Sequence, residues 1–322
     1  MHYRRLGRTG MMVSEIGFGG WPIGGQMWGS VEDEGSLAAL RRAFDLGVNF
    51  YDTADVYGHG HSEELIGQAF ASVRANVLIA TKVGFDFYRG EPAKSNFAPN
   101  YIRSALQKSL DRLRTDYVDV YQLHNPPQKL AKDDAVWETL AELKGEGAVR
   151  FYGVSTRTAN DARAYLRAAD GGDEHSRSFG DTLQLAYNLL DQEAAVKGAF
   201  VEAYRQDWGV IARVPLASGM LSGKYDAGHY FPPSDFRAAW SRERMAKSAA
   251  QVEDLRFLMR PPIETMAQAA LAFVLSQEAV STVITGAKTE AQVEDNVRAP
   301  DLAPLPADDL RRVQELYERG PA

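Results

Sequence analysis

There is no cysteine in the 322-residue sequence. That excludes disulfides, cysteine nucleophiles and thiolate metal sites. No apolar run approaches the roughly 20 residues that a membrane-crossing helix needs. The basic N-terminus, Met1-His2-Tyr3-Arg4-Arg5-Leu6-Gly7-Arg8, lacks an apolar core and does not read as a signal peptide. Positive charge is in deficit: Lys and Arg total 36 against 43 Asp and Glu, a net charge of −7. A general nucleic-acid surface is therefore not expected, nor is a membrane partner; a soluble, cytoplasmic protein is. No G-x-G-x-x-G stretch occurs, so a Rossmann dinucleotide site is unsupported. Gly219-Met220-Leu221-Ser222-Gly223-Lys224-Tyr225 approaches a phosphate loop, but it is one residue short between glycines and has Tyr225 where Ser or Thr is required.

What is present is enough apolar sequence for a large core, 45% of residues, arranged as an alternation. A hairpin over Arg4-Arg5-Leu6 and Met11-Met12-Val13-Ser14 opens the chain. Short apolar strands then follow at Ile16 to Gly19, Val48 to Asp52, Val77 to Lys82, Val118 to Leu123, Phe151 to Ser155, Thr182 to Ala186, Val210 to Arg213 and Val280 to Ile284. Helical stripes separate them. They include Leu37 to Leu46 closed by Gly47, a helix capped by Ser62, one after Pro99, one through Val136 to Leu143, and Ala159 to Ala169. Others cover Ala194 to Tyr204, Ile263 to Leu275 and Glu290 to Val297, with a last helix near Asp308 to Tyr317. Gly171-Gly172-Asp173-Glu174 reads as a loop. Eight strand–helix alternations, each of roughly 30 residues, predict a (β/α)8 TIM barrel with an N-terminal β-hairpin and extra helices, one domain over residues 1–322. Gly84 to Ala98 and Pro215 to about Lys247 are too long for simple connections, and both should wall the rim where strands end.

That rim is where parallel sheets bind ligands. Three strands end in residues unusual for a core: Asp52, Lys82 and His124. Tyr57 follows Asp52 by one short loop. A phenol, an ammonium that lowers its pKa, a carboxylate as counter-ion and an imidazole donor together suit proton delivery to a carbonyl oxygen as a hydride reaches its carbon. Each residue alone has an ordinary structural explanation; the shared rim is what argues for chemistry. His59-Gly60-His61-Ser62-Glu63-Glu64 contains metal-ligand residue types, yet helix-start chemistry accounts for Ser62, Glu63 and Glu64, so no metal is expected.

The chain resembles the aldo-keto reductase family along nearly its whole length. The resemblance rests on Tyr3-Arg4-Arg5-Leu6-Gly7-Arg8-Thr9-Gly10, Phe50-Tyr51-Asp52-Thr53-Ala54 with Tyr57-Gly58, Thr81-Lys82, Gln122-Leu123-His124, Gly153-Val154-Ser155, Gln184 with Tyr187-Asn188, Pro215-Leu216-Ala217-Ser218-Gly219 and Gly286-Ala287-Lys288. It implies an NAD(P)H-dependent barrel that reduces aldehydes or ketones. It implies Tyr57 as general acid, Asp52 and Lys82 as the pair that tunes it, and His124 as the residue orienting the carbonyl. Ser155 and Gln184 match residues that hold the nicotinamide carboxamide. Pro215, Leu216, Ser218, Gly219, Leu221 and Lys224 fall in the loop around the pyrophosphate, and Gly286, Lys288, Gln292 and Asn296 at the adenosine end. Lys288 suits a 2′-phosphate, which favours NADP(H) over NAD(H). Arg213 stands where many members have a stacking aromatic; its plane would lie on the nicotinamide or its charge would reach a phosphate. Trp21, Phe85, Tyr57 and His124 are the expected substrate contacts, with Trp28 and Trp240 as further candidates. The rival reading is a cofactor-sensing or partner-binding subunit with little turnover.

Overall fold

The computed structural model describes residues 1–25, 27–28, 32–88, 90, 93–170 and 180–320. Eight parallel strands close on one another: β1 Ile16–Gly19, β2 Phe50–Asp52, β3 Leu78–Val83, β4 Val118–His124, β5 Val149–Ser155, β6 Thr182–Ala186, β7 Gly209–Arg213 and β8 Val280–Thr285. β8 pairs with β1, which closes the barrel without an edge. β4 and β8 are buried along their whole length, polar residues included, as expected of strands covered on both faces. Around them lie α1 Asp33–Asp45, α2 His61–Phe70, α3 Pro99–Leu113, α4 Asp134–Gly145, α5 Ala159–Ala169, α6 Ala199–Arg205, α7 Met266–Leu275 and α8 Glu290–Asn296. The (β/α)8 barrel expected from the alternation is the fold observed.

Outside that count lie the C-terminal helix Ala307–Arg319, the short pair Phe85–Asp86 with Lys94–Ser95, and two features at the barrel ends. The hairpin Tyr3–Arg5 with Met12–Ser14 plugs the end of the barrel where strands begin. Its Leu6, Met11 and Val13 join Phe50, Ala80, Val120, Ile211 and Ile284 in one apolar cluster within the cylinder. At the opposite end, the segment after β7 carries a helix, Arg242–Asp254, that periodicity did not indicate. Its stripe is weak and only Met245 is buried.

Local chemistry moved several boundaries. α2 starts at His61 behind Gly60 in the left-handed region, φ 98, and Ser62 is not its cap. The Ser62 hydroxyl instead donates to Gly20 O at 2.8 Å and accepts from Thr53 at 2.8 Å, tying α2 to the barrel rim. The helix expected over Ala194 to Tyr204 is broken: Glu193–Val196 stops, and α6 restarts after Gly198 at φ 75. α7 begins at Met266 because the Thr265 side chain caps it. The loop read at Gly171-Gly172-Asp173-Glu174 lies outside the described residues.

Candidate active site

Parallel pairing brings the strand ends to one rim. Asp52 ends β2, Lys82 lies near the end of β3 and His124 ends β4; Asp52 registers with Ala80, and Lys82 with Gln122. Lys82 is fully buried, and its Nζ donates to Asp52 Oδ1 at 2.5 Å and to Thr53 O at 2.7 Å. Its Nζ also lies 5.0 Å from the Tyr57 ring centroid, close enough for the ammonium and the phenol to act on each other's charge. Tyr57 is held by a close backbone crossing. Gly58, at φ 62, lies so near Gly24 that a Cβ there would sit 2.1 Å from Gly24 O. His124 stands edge-on to Tyr57, ring centroids 5.8 Å apart. The four residues expected to converge do converge.

Their electrostatics are less simple than the sequence suggested. Burial raises the Tyr57 pKa above the ordinary phenol value; Lys82 and Arg213 pull it down, Asp52 pushes it up, and the net is upward. Burial lowers the Lys82 pKa, but Asp52 and Tyr57 more than offset this, so the ammonium is kept. Burial, then Lys82, Arg213 and Arg157, holds His124 well below the usual imidazole range, so it is neutral. Its Nδ1 has no hydrogen-bond partner among the described residues. Asp52 Oδ2 accepts from Gln184 Nε2 at 2.7 Å and from Gln122 Nε2 at 3.4 Å, and Ser155 Oγ donates to Gln184 Oε1 at 3.1 Å.

The site opens into a cavity of about 700 Å³. Tyr57, His124, Trp21, Trp28 and Phe85 line one end; Trp21 stacks on Tyr57 at 6.1 Å and Phe85 meets His124 edge-on at 5.0 Å. Asp52, Gln184, Arg213, Pro215, Leu216, Ser218, Gly219, Lys224, Gly286, Lys288, Gln292 and Asn296 line it as well. Three expected residues do not line it. Lys82 and Ser155 stand behind the wall and act on it through Asp52 and Gln184. Leu221 is fully buried in the core, its N–H committed to Leu216 O at 3.1 Å. Trp240 also falls outside, packed on Phe231, Phe236 and Arg244. Arg213 donates from Nη2 to Thr156 O at 2.9 Å, and burial lowers its pKa.

Sequence reasoning missed Asn125, Tyr225, Arg237 and Asp295, all in the wall, and Gln122 behind it. Asn125 follows the end of β4 at φ 52, between His124 and Pro126-Pro127, a position whose signal was available. Arg237 was not findable. It pairs with Asp235 at 2.6 Å and is enclosed by Trp28, Tyr225 and Phe231, contacts that only folding creates. The same segment reaches across the cavity: Trp28 bridges Asp235, and Phe236 N–H donates to Met27 O at 3.0 Å. Among the described residues no group of three or more His, Asp or Glu is placed to hold a metal; His61 faces Asp33 at 2.8 Å, and Glu63 takes Arg112 at 2.7 Å.

Comparison with known proteins agrees with this geometry. The family model described as "Aldo/keto reductase family" matches residues 15–318. The chain belongs to the aldo/keto reductase family. It is 30% identical over 321 residues to an uncharacterized oxidoreductase, YqkF, of Bacillus subtilis, covering 98% of this chain and 96% of that protein. It is 33% identical over 318 residues to a probable voltage-gated potassium channel subunit beta of Arabidopsis thaliana, covering 95% and 93%. The solved structure of an aldo-keto reductase from Bacillus halodurans in its holo form superposes with a TM-score of 0.78 at 29% identity, covering 98% and 96%. This aldo/keto reductase is thus an oxidoreductase acting on a carbonyl or alcohol of small-molecule size, in a family that uses nicotinamide cofactors. None of its described helices is long and apolar enough to cross a membrane.

The residues present fit a dinucleotide. Ala217, Ser218 and Gly219 have φ of 47, 56 and 93, and the Ala217 and Gly219 N–H groups donate to Val214 O at 3.0 Å and Leu216 O at 2.8 Å, so the backbone turns tightly on itself along the cavity wall. A Cβ on Gly219 would meet Arg237 Nη1 at 2.9 Å, and one on Gly286 would meet Pro22 at 2.5 Å. Lys288 is half-buried in the wall, its Nζ donating to the Trp28 carbonyl; burial lowers its pKa.

Proposed function

We propose that this reductase converts an aldehyde or ketone to the alcohol with NADPH, or runs the reverse oxidation. The observation that carries this reading is the buried Asp52–Lys82 pair beside a phenol that lines a cavity of about 700 Å³. A nicotinamide, when bound, supplies or accepts the hydride. Gln184 and Ser155 would hold its carboxamide end, with Asp52 and Arg213 beside it. Pro215, Leu216, Ser218, Gly219 and Lys224 would surround the pyrophosphate, and Gly286, Lys288, Gln292 and Asn296 the adenosine. Leu221 would support that loop from the core rather than touch the cofactor. Lys288 is the reason to favour NADP(H): a half-buried ammonium whose burial already disfavours its charge gains most from a dianionic partner.

His124, neutral, donates one N–H to the carbonyl oxygen and sets its direction. Tyr57 delivers the proton as charge develops on that oxygen. Lys82 stabilises the tyrosinate left after the transfer, and Asp52 keeps Lys82 charged and placed. Although burial raises the Tyr57 pKa, an alkoxide is far more basic than a phenol, so the transfer remains downhill. Trp21, Trp28 and Phe85 keep water from the reacting end. Likeness to proteins named as channel subunits raises a second reading, a partner-binding barrel with little turnover; the complete set of Asp52, Tyr57, Lys82 and His124 favours catalysis. Tyr57→Phe should lower turnover by about 10²- to 10⁴-fold while NADPH fluorescence quenching still reports binding. Retained turnover in that variant would remove Tyr57 from the mechanism.

A further inference from the structure

Gln122 is fully buried, does not line the cavity, and is poorly satisfied. Its Nε2 donates to Asp52 Oδ2 at 3.4 Å and its Oε1 has no partner among the described residues. A buried amide with one long bond and an orphaned carbonyl is costly compared with an apolar side chain of the same size. A side chain that breaks a local rule in this way is expected at a functional site. What it touches is the carboxylate that holds Lys82.

The arrangement around Asp52 is divided. Oδ1 takes the Lys82 ammonium; Oδ2 takes two amides, Gln184 at 2.7 Å and Gln122 at 3.4 Å. Gln184 is itself oriented by Ser155. We propose that Gln122 and Gln184 are positioning residues that set the acidity of Tyr57 through Asp52, a reading that rests on Tyr57 being the acid. Two amide donors on Oδ2 spread and partly neutralise the carboxylate charge. Asp52 then holds the Lys82 ammonium less tightly, and more of its charge acts on the phenol. Removing a donor concentrates charge on Asp52, which draws Lys82 toward itself and repels a tyrosinate. The Tyr57 pKa rises. The two bond lengths order the effect: loss of Gln184 matters more than loss of Gln122.

The test is Gln122→Leu, with Gln122→Met as the less bulky alternative should the first fail to fold. Three quantities are measured: thermal unfolding, NADPH affinity by fluorescence quenching, and pH profiles of carbonyl reduction and alcohol oxidation at saturating cofactor. The expected result is an unchanged or higher melting temperature, unchanged NADPH affinity, and an alkaline limb moved upward by roughly half a pH unit, the size of one weak hydrogen bond. Gln184→Met should move it further. A fixed pH profile with a lowered melting temperature makes Gln122 a structural residue and overturns the proposal. An unmoved profile at unchanged stability overturns it too. Full turnover in Tyr57→Phe, by contrast, fails the underlying reading of the acid and takes this inference with it.

Discussion

Asp55 is the least comfortable residue near the site. It is fully buried, and neither carboxyl oxygen has a hydrogen-bond partner among the described residues. Burial and then Glu63 raise its pKa well above the carboxylate range, against Arg112 and Lys82. A carboxyl whose folded pKa is raised binds its proton more tightly when folded. Its contribution to stability is present below the unfolded value, about 3.9, and is lost as pH rises from there toward the folded pKa. Asp55→Asn should therefore melt higher than the parent at about pH 7 to 8, where the buried carboxyl costs stability, and the difference should shrink as pH falls toward about 4. Calorimetry across that range checks it; a lower melting temperature at neutral pH would mean Asp55 is charged and satisfied. Tyr57 gives the second prediction at this scale. Its raised pKa keeps the phenol protonated, so under the proposed mechanism reduction should hold its rate up to about pH 10, whereas oxidation, for which that mechanism needs the phenolate as base, should still be rising there. With His124 neutral, no acid limb from an imidazole should cross the range near pH 6.5.

At the scale of elements, the loop between β2 and α2 does most to place the chemistry. Tyr57 N–H donates to Ala54 O at 3.1 Å and Ser62 N–H to Tyr57 O at 3.2 Å. Gly58 then crosses Gly24 with no room for a side chain. Gly58→Ala should lower turnover at least ten-fold, on the order of a misplaced catalytic group, with a smaller change in NADPH affinity. Equal losses in both would mean that the whole cavity, not the phenol, had moved. Much of this level was readable beforehand, because apolar runs and caps are local properties. Thr182–Ala186 and Ala159–Ala169 lie where periodicity put them. The departures have local causes that a window of residues does not contain: Ser62 turned away from capping to bond Gly20, and Gly198 interrupted a continuous apolar stripe.

For the whole molecule, the two ends of the barrel carry separate duties. The closed end is sealed by the hairpin, with Leu6 fully buried in the cluster inside the cylinder. Arg5 pairs with Asp207 at 2.7 Å across 202 positions of sequence. Leu6→Ala should cost about 3 kcal/mol of stability and lower the melting temperature, while kcat/KM at 25 °C, well below melting as about that temperature is for most domains, stays within two-fold, as about 0.4 kcal/mol would allow. A large fall in kcat/KM without loss of stability would show the two ends to be coupled. The open end is built from segments far apart in sequence, with Met27 and Trp28 meeting Asp235 and Phe236 over the cavity.

By itself the sequence determined the alternation, the barrel, and the set Asp52, Tyr57, Lys82 and His124, because hydrophobic period and strand-end position are written within a few residues of one another. Only the tertiary structure decided the rest. Arg237 enters the cavity wall, Trp240 and Leu221 leave it, Gln122 reaches Asp52, and burial turns the Tyr57 pKa upward. Each of these depends on which distant groups share a low-dielectric space, and that is set by the closure of the barrel rather than by any stretch of chain.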